Sequence, residues 1–274
     1  MGYQLAMNQA VGFGVLDDQM AAIRDLNRNL EFRKAIKHAI DGKAFAKAMS
    51  KGPFVTVYAG GLARDSAFFD ADATSFFPYN PAGANSILDG LGLMDTDGNG
   101  VRNLPNGGGD LVINLVQNKG SENEMLLGDG MATMMSEVGI KINIKPMEDT
   151  EPTRQAGEWD WLLVRSQQEM AFPNSGYWSD MGPVTTSSFD PHLGTDEHPQ
   201  QLQPFEKEIV SILEEWRDGV EGAEAQALMS RYQKLFTENV YMPGIVQYPT
   251  ALLINKRIQN LADGMPVLAY QWAE

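Results

Sequence analysis

The residue types that could do chemistry fall into four stretches. In the first, His192 and His198 share a polar run with Asp190, Asp196 and Glu197. Imidazole and carboxylate are zinc ligands, so this run could form a metal site of the kind a metal-dependent hydrolase uses. Its two histidines do not form a tight i,i+4 pair, and a solvated polar loop is the favoured reading. In the second, Asp95-x-Asp97-x-Asn99-Gly100-Val101-x-Asn103 sets oxygen ligands at positions 1, 3, 5 and 9 of a calcium loop, with glycine at position 6. Position 12 is Asn106, where a bidentate glutamate belongs, and a strand follows in place of a helix. A turn whose Asp side chains bond their own backbone is therefore preferred to a calcium-stabilised module. In the third, Asn106-Gly107-Gly108-Gly109 offers amides to a phosphate but precedes a strand, so no helix N-terminus supports an anion and a hairpin loop is preferred. The fourth runs from Trp159 to Asp180 and carries Arg165, Glu169, Phe172, Tyr177 and Trp178. Aromatic walls with a few charges suit a small-molecule site, and these five are the candidate ligand-binding residues. A loop packed on the domain surface is the competing reading. The nucleophile elbow, the zinc-protease H-E-x-x-H and the Walker loop are absent from the sequence, and no catalytic residue is assigned.

The fourth stretch depends on the strand before it. Trp161-Leu162-Leu163-Val164 reads as a short buried strand, and in α/β folds ligands sit beyond the carboxyl ends of strands. Upstream lies a βαβ unit. Leu111–Val116 is strand-like, Ser121-Glu122-Asn123-Glu124 is a capping box, and Leu127, Met131, Met134, Met135 and Val138 form a buried stripe that Gly139 ends. Residues 140–145 alternate with period two, so the two strands should run parallel. Residues 3–7 alternate weakly as a strand, and Gly12 and Gly14 break the pattern. Asn27 or Asn29 caps a helix with Phe32, Ala35, Ile36, Ala39 and Ile40 inside and Arg33, Lys34 and Lys37 outside. Asp41 caps a second helix bearing Phe45, Ala48 and Met49. Residues 51–79 form a long irregular segment, and a stretch of that length is usually functional or packed against something. Asn80-Pro81 starts a helix with Ala84, Ile87, Leu88 and Leu91 on one face, and Gly90 and Gly92 can end it. Pro204 and Gly219 bracket a helix with Phe205, Ile209, Ile212, Leu213 and Trp216 on one face. Leu228, Tyr232, Leu235 and Phe236 mark another, and strands follow at 245–248 and 251–254.

Bulk properties narrow the partners. Acidic residues outnumber basic ones 36 to 21, a net charge of −15, which argues against nucleic acid and anionic lipid. No cysteine is present, so disulfides, thiolate catalysis and Cys-based zinc sites are excluded. The 274 residues form one large domain or two small ones. No apolar run approaches the ~18 residues of a membrane span. Met1-Gly2-Tyr3-Gln4 lacks the basic-then-apolar pattern of a secretory signal, which leaves a cytoplasmic chain or a segment of an exported precursor.

One motif carries a family resemblance. Asn80-Pro81-x-x-Ala84-x-x-Ile87-Leu88-Asp89-x-Leu91-Gly92-Leu93-x-Asp95-Thr96-Asp97-Gly98-Asn99-Gly100-Val101-Arg102-Asn103 resembles the middle of the extracellular solute-binding proteins of family 5, the peptide, nickel and oligosaccharide receptors of bacterial ABC importers. Residues 32–41, 137–142 and Gly157-Glu158-Trp159-Asp160 match in the same order. The resemblance spans nearly the whole chain but only the second part of such a receptor. It implies an α/β domain, the second lobe of a type II periplasmic-binding-protein fold, with a mixed sheet and flanking helices. Residues 1–11 would be a crossover strand from the first lobe, 12–243 the lobe itself, and 244–274 a return towards the first lobe. It also implies the substrate-binding component of an ABC importer and not an enzyme. The receptor would be monomeric, without cofactor, periplasmic or extracellular, lipid-anchored or free. It would take a peptide or other small solute and deliver it to a membrane permease. In peptide-binding members, the segment after the matching strand carries a Trp and then an Asp for the ligand's ammonium group. Those positions fall on Ser166 and Glu169, so the acid is kept in kind and the Trp is lost.

Overall fold

The computed structural model describes residues 2–50, 52–105, 108–166, 180–187, 189–248 and 257. Six strands form one mixed sheet: β1 (Gly2–Met7), β2 (Thr56–Val57), β3 (Val112–Asn118), β4 (Lys141–Met147), β5 (Trp161–Ser166) and β6 (Gly244–Gln247), in the order β2-β6-β1-β5-β3-β4. β3 runs parallel to β4 and β5, as expected of the crossover unit, while β1 is antiparallel to both β5 and β6. Alternation splits the strands between two apolar layers. Tyr3, Leu5, Met7, Trp161 and Leu163 face a core built with α1 (Asp18–Arg28), α2 (Leu30–Ala39), α3 (Gly42–Met49), α4 (Pro81–Gly90) and α5 (Glu122–Ser136). Ala6, Val116 and Leu162 face a second core under α7 (Pro204–Arg217) and α8 (Gly222–Glu238). A short helix, α6 (Glu151–Ala156), precedes β5.

Caps set the helix starts. Asn29, Asp41, Asn80 and Ser121 each accept backbone N–H bonds from the first turn that follows. In the expected capping box, Glu124 reaches the Asn118 amide, 2.8 Å away, and not that of Ser121, so it ties the helix to the end of β3. Gly92 takes the left-handed conformation after α4, whereas Gly90 stays helical. The segment before α4 does pack: Tyr58 and Leu62 are buried.

Two expected surface cations are inside. Arg33 donates to the Asn239 and Asn27 carbonyls, both at 2.9 Å, and stacks 5.5 Å from the Phe205 ring. Lys37 donates to the Tyr58 carbonyl at 3.1 Å and to that of Gly244. Backbone oxygens receive the donors of both side chains, which is what allows the two charges to be buried. Ala48, expected inside, is exposed, and Ala46 packs on the core in its place. Burial pulls the Lys37 ammonium down to about 8. The unfolded chain therefore binds more protons than the folded one between pH ~8 and ~10.5, and stability should rise across that window by up to ~3 kcal/mol. Comparing urea melts of wild type and Lys37→Met at pH 8 and 10 should show this rise in wild type alone.

Candidate functional site

The sheet gathers its open strand ends at one edge. Gly2 at the start of β1 lies opposite both Ser166 at the end of β5 and Gln247 at the end of β6, and Asn118 and Met147 end β3 and β4 on the same side. This is the carboxyl edge where α/β crevices form. Arg165, one of the five candidate residues, stands there exposed, directly across from Tyr3. Glu169, Phe172, Tyr177 and Trp178 lie outside the described residues. β5 itself ends on this edge, at Ser166. The described chain resumes at Asp180, beside Met181, whose carbonyl accepts from the Tyr232 hydroxyl of α8 at 2.8 Å.

Other groups converge here that the sequence reading did not select. The Tyr3 and Tyr248 rings sit 5.9 Å apart, tilted by 34°. The Tyr248 phenol is within hydrogen-bonding reach of Tyr3 and Arg165, and burial raises its proton affinity. Half-buried Glu124 holds the Asn118 amide at the end of β3. Burial pushes its carboxyl upwards, against the pull of the Asn118 bond and the Arg165 charge. On the β6 side, Gln247 donates to Asp65 at 2.8 Å and accepts from the Arg64 amide at 3.2 Å, while the Arg64 guanidinium lies 5.6 Å from the Phe76 ring. No spacing in the sequence could have linked Tyr3, Glu124 and Tyr248; only strand register does so.

The histidine run corrects one expectation. His192 is not solvated but fully buried, bonded through Nδ1 to Glu206 of α7 at 2.8 Å. Asp190 pairs with Arg154 at 2.6 Å, and Arg154 also holds Glu151. His198 is exposed. The hydrolase arrangement is therefore not built from these groups, since two of its members already have partners elsewhere. Among the described residues no three His, Asp or Glu side chains share a metal-sized space.

The loop from Asp95 is the self-bonded turn. Asp95 accepts from the Gly98 and Gly100 amides at 2.7 and 2.9 Å, Asp97 from that of Asn99, and Asn99 from that of Val101. Those N–H bonds hold the Asp95 carboxyl below its usual range, although burial opposes them. A cation would have to displace these donors, so millimolar calcium or EDTA should leave the melting temperature unchanged. A calcium-dependent rise that Asp97→Ala abolishes would contradict this.

Comparison with known proteins agrees with the fold. A sequence model described as "Bacterial extracellular solute-binding proteins, family 5 Middle" matches residues 1–188. A periplasmic alpha-galactoside-binding protein of Rhizobium meliloti (strain 1021) is 35% identical over 282 aligned residues, covering 100% of this chain and 40% of its own length. The structure of the periplasmic binding protein MelB from Agrobacterium fabrum C58, in complex with stachyose, superposes with a TM-score of 0.86 at 34% identity, over 90% of this chain and 38% of that one. The oligopeptide-binding protein OppA superposes with a TM-score of 0.69 at 19% identity, over 89% and 40%. The chain thus spans about two-fifths of the length of these relatives, and its mixed α/β architecture is that of type II periplasmic binding proteins. No described helix is long and apolar enough to cross a membrane.

Proposed function

The chain belongs to the bacterial extracellular solute-binding proteins of family 5, and on that premise we propose that it forms the second lobe of a receptor that captures an α-galactoside-type oligosaccharide for an ABC permease. The observation that carries the sugar reading is the alignment of the whole chain, at 35% identity, with an alpha-galactoside-binding protein. Ser166, at the position where peptide receptors carry a Trp, favours the same side. In this reading residues 1–11 cross from a first lobe, 12–243 form this lobe, and 244–274 return. The antiparallel pairing of β1 with β6 supports it by setting entry and exit side by side at the crevice. Arg165, Glu169, Phe172, Tyr177 and Trp178 face the solute, and closing of the two lobes buries it. The receptor works outside the cytoplasmic membrane, lipid-anchored or free, and performs no chemistry on its solute. Native mass spectrometry of the full-length protein from its host should show a co-purified hexose oligomer. A bound peptide or metal chelate in its place would overturn the sugar reading.

A further inference from the structure

We infer that Glu124, Arg165 and Tyr248 form a charge-balanced rim at the carboxyl edge of the sheet that reads solute hydroxyls and selects an uncharged polyhydroxy compound over a peptide. The inference rests on the solute-binding reading above and adds the residues that set the class of solute.

The three groups come from distant parts of the chain and are placed by register. Arg165 is the penultimate residue of β5, across from Tyr3. Tyr3 is buried and its ring meets that of Tyr248, so it fixes the half-buried phenol beside the guanidinium. The next strand over, β3, ends at Asn118, whose amide anchors Glu124 through one carboxylate oxygen. The positive charge of Arg165 is felt on both sides, since it opposes the effect of burial on Glu124 and on Tyr248 alike.

This arrangement has a chemical preference. An unopposed guanidinium would attract a carboxylate terminus, and an unopposed carboxylate an ammonium. Together they cancel as charges but keep their donors and acceptors, and a sugar hydroxyl is both donor and acceptor. The phenol adds a third hydroxyl-matching group, and its ring gives an apolar surface for the C–H face of a pyranose.

The test uses the full-length protein, with stachyose as probe, titrated calorimetrically against wild type, Arg165→Met, Glu124→Gln and Tyr248→Phe. Thermal melts run in parallel; Arg165 is exposed, so its variant should melt as wild type does. Stachyose affinity should fall by ~30-fold or more in Arg165→Met. In Glu124→Gln the guanidinium loses its counter-charge, so stachyose should bind more weakly and an acidic galacturonate oligomer more tightly than to wild type. If wild type binds stachyose and all three variants bind it equally well, the rim is no part of the site, and the receptor reading survives without it. If wild type binds tripeptides and not stachyose, both the sugar reading and the rim's selectivity fall.

Discussion

Glu206→Ala is expected to lower the unfolding free energy of the protein by ~3–5 kcal/mol, because it leaves buried partners without their shared acceptor. Glu206 sits in the first turn of α7 with no exposed surface. One oxygen takes His192 Nδ1 at 2.8 Å and the Tyr241 hydroxyl, and the other takes the Gln203 amide at 2.7 Å. Arg33 adds a buried positive charge nearby, itself drawn down to about 10 by burial and held up by Glu206. Alanine would strand the imidazole, the phenol and the Gln203 amide, and would remove the negative charge beside the Arg33 guanidinium. Burial works to raise the Glu206 carboxyl, but the bonds from His192, Tyr241 and Gln203 outweigh it and hold the group below its ordinary value. A depressed carboxylate stabilises the fold above its unfolded value of ~4.3 and loses that contribution as pH falls through the lower folded value. The gap between wild type and variant should therefore be widest near pH 7 and shrink in strong acid. Urea melts at both pH values measure it, and a loss below ~1 kcal/mol at pH 7 would mark the pair as a weak surface-type bridge.

Trp161→Ala should cost a similar ~3–5 kcal/mol, through lost apolar burial and the cavity left behind. Trp161 opens β5 at the centre of the sheet, across from Met7 of β1 and Leu115 of β3, and is completely buried. Its indole N–H donates to Asn27 of α1 at 3.0 Å, so it pins that helix to the sheet as well as filling the core. Trp161→Phe keeps most of the volume but removes the bond, and should cost ~1–3 kcal/mol, chiefly for the buried Asn27 oxygen left without its donor. Denaturant melts of the two variants separate packing from hydrogen bonding. Equal losses in both would show that Asn27, and not the cavity, dominates.

The strongly periodic parts of this fold were legible. The crossover unit from β3 to β4, the caps at Asn29, Asp41, Asn80 and Ser121 and the faces of α7 and α8 follow from apolar spacing and short-range hydrogen bonding. The helix α1 was missed because its buried face, Met20, Ile23, Arg24 and Asn27, is half polar and hides its period. Arg24 donates inside to the Gly157 and Trp159 carbonyls at 2.6 and 3.0 Å, over a hundred residues away. Arg33, Lys37 and His192 misled for the same reason: a charge on a pattern reads as surface, and only tertiary contacts show the carbonyl or carboxylate that receives it. At the candidate site the sequence pointed to the strand end and to Arg165. Tyr3, Glu124 and Tyr248 carried no local sign of a binding site, since the pairing of β5 with β1 and β3, and of β1 with β6, is what assembles the rim.

A lobe that lines a sugar-binding cleft, as proposed for this chain, has a direct calorimetric signature. The full-length protein is titrated with stachyose and separately with tripeptides, and the recovered sugar is analysed for cleavage. The expected result is saturable one-to-one binding of stachyose, no comparable heat from the peptides, and intact sugar at the end. Saturable peptide binding with no response to stachyose, or hydrolysis of the sugar, would contradict it.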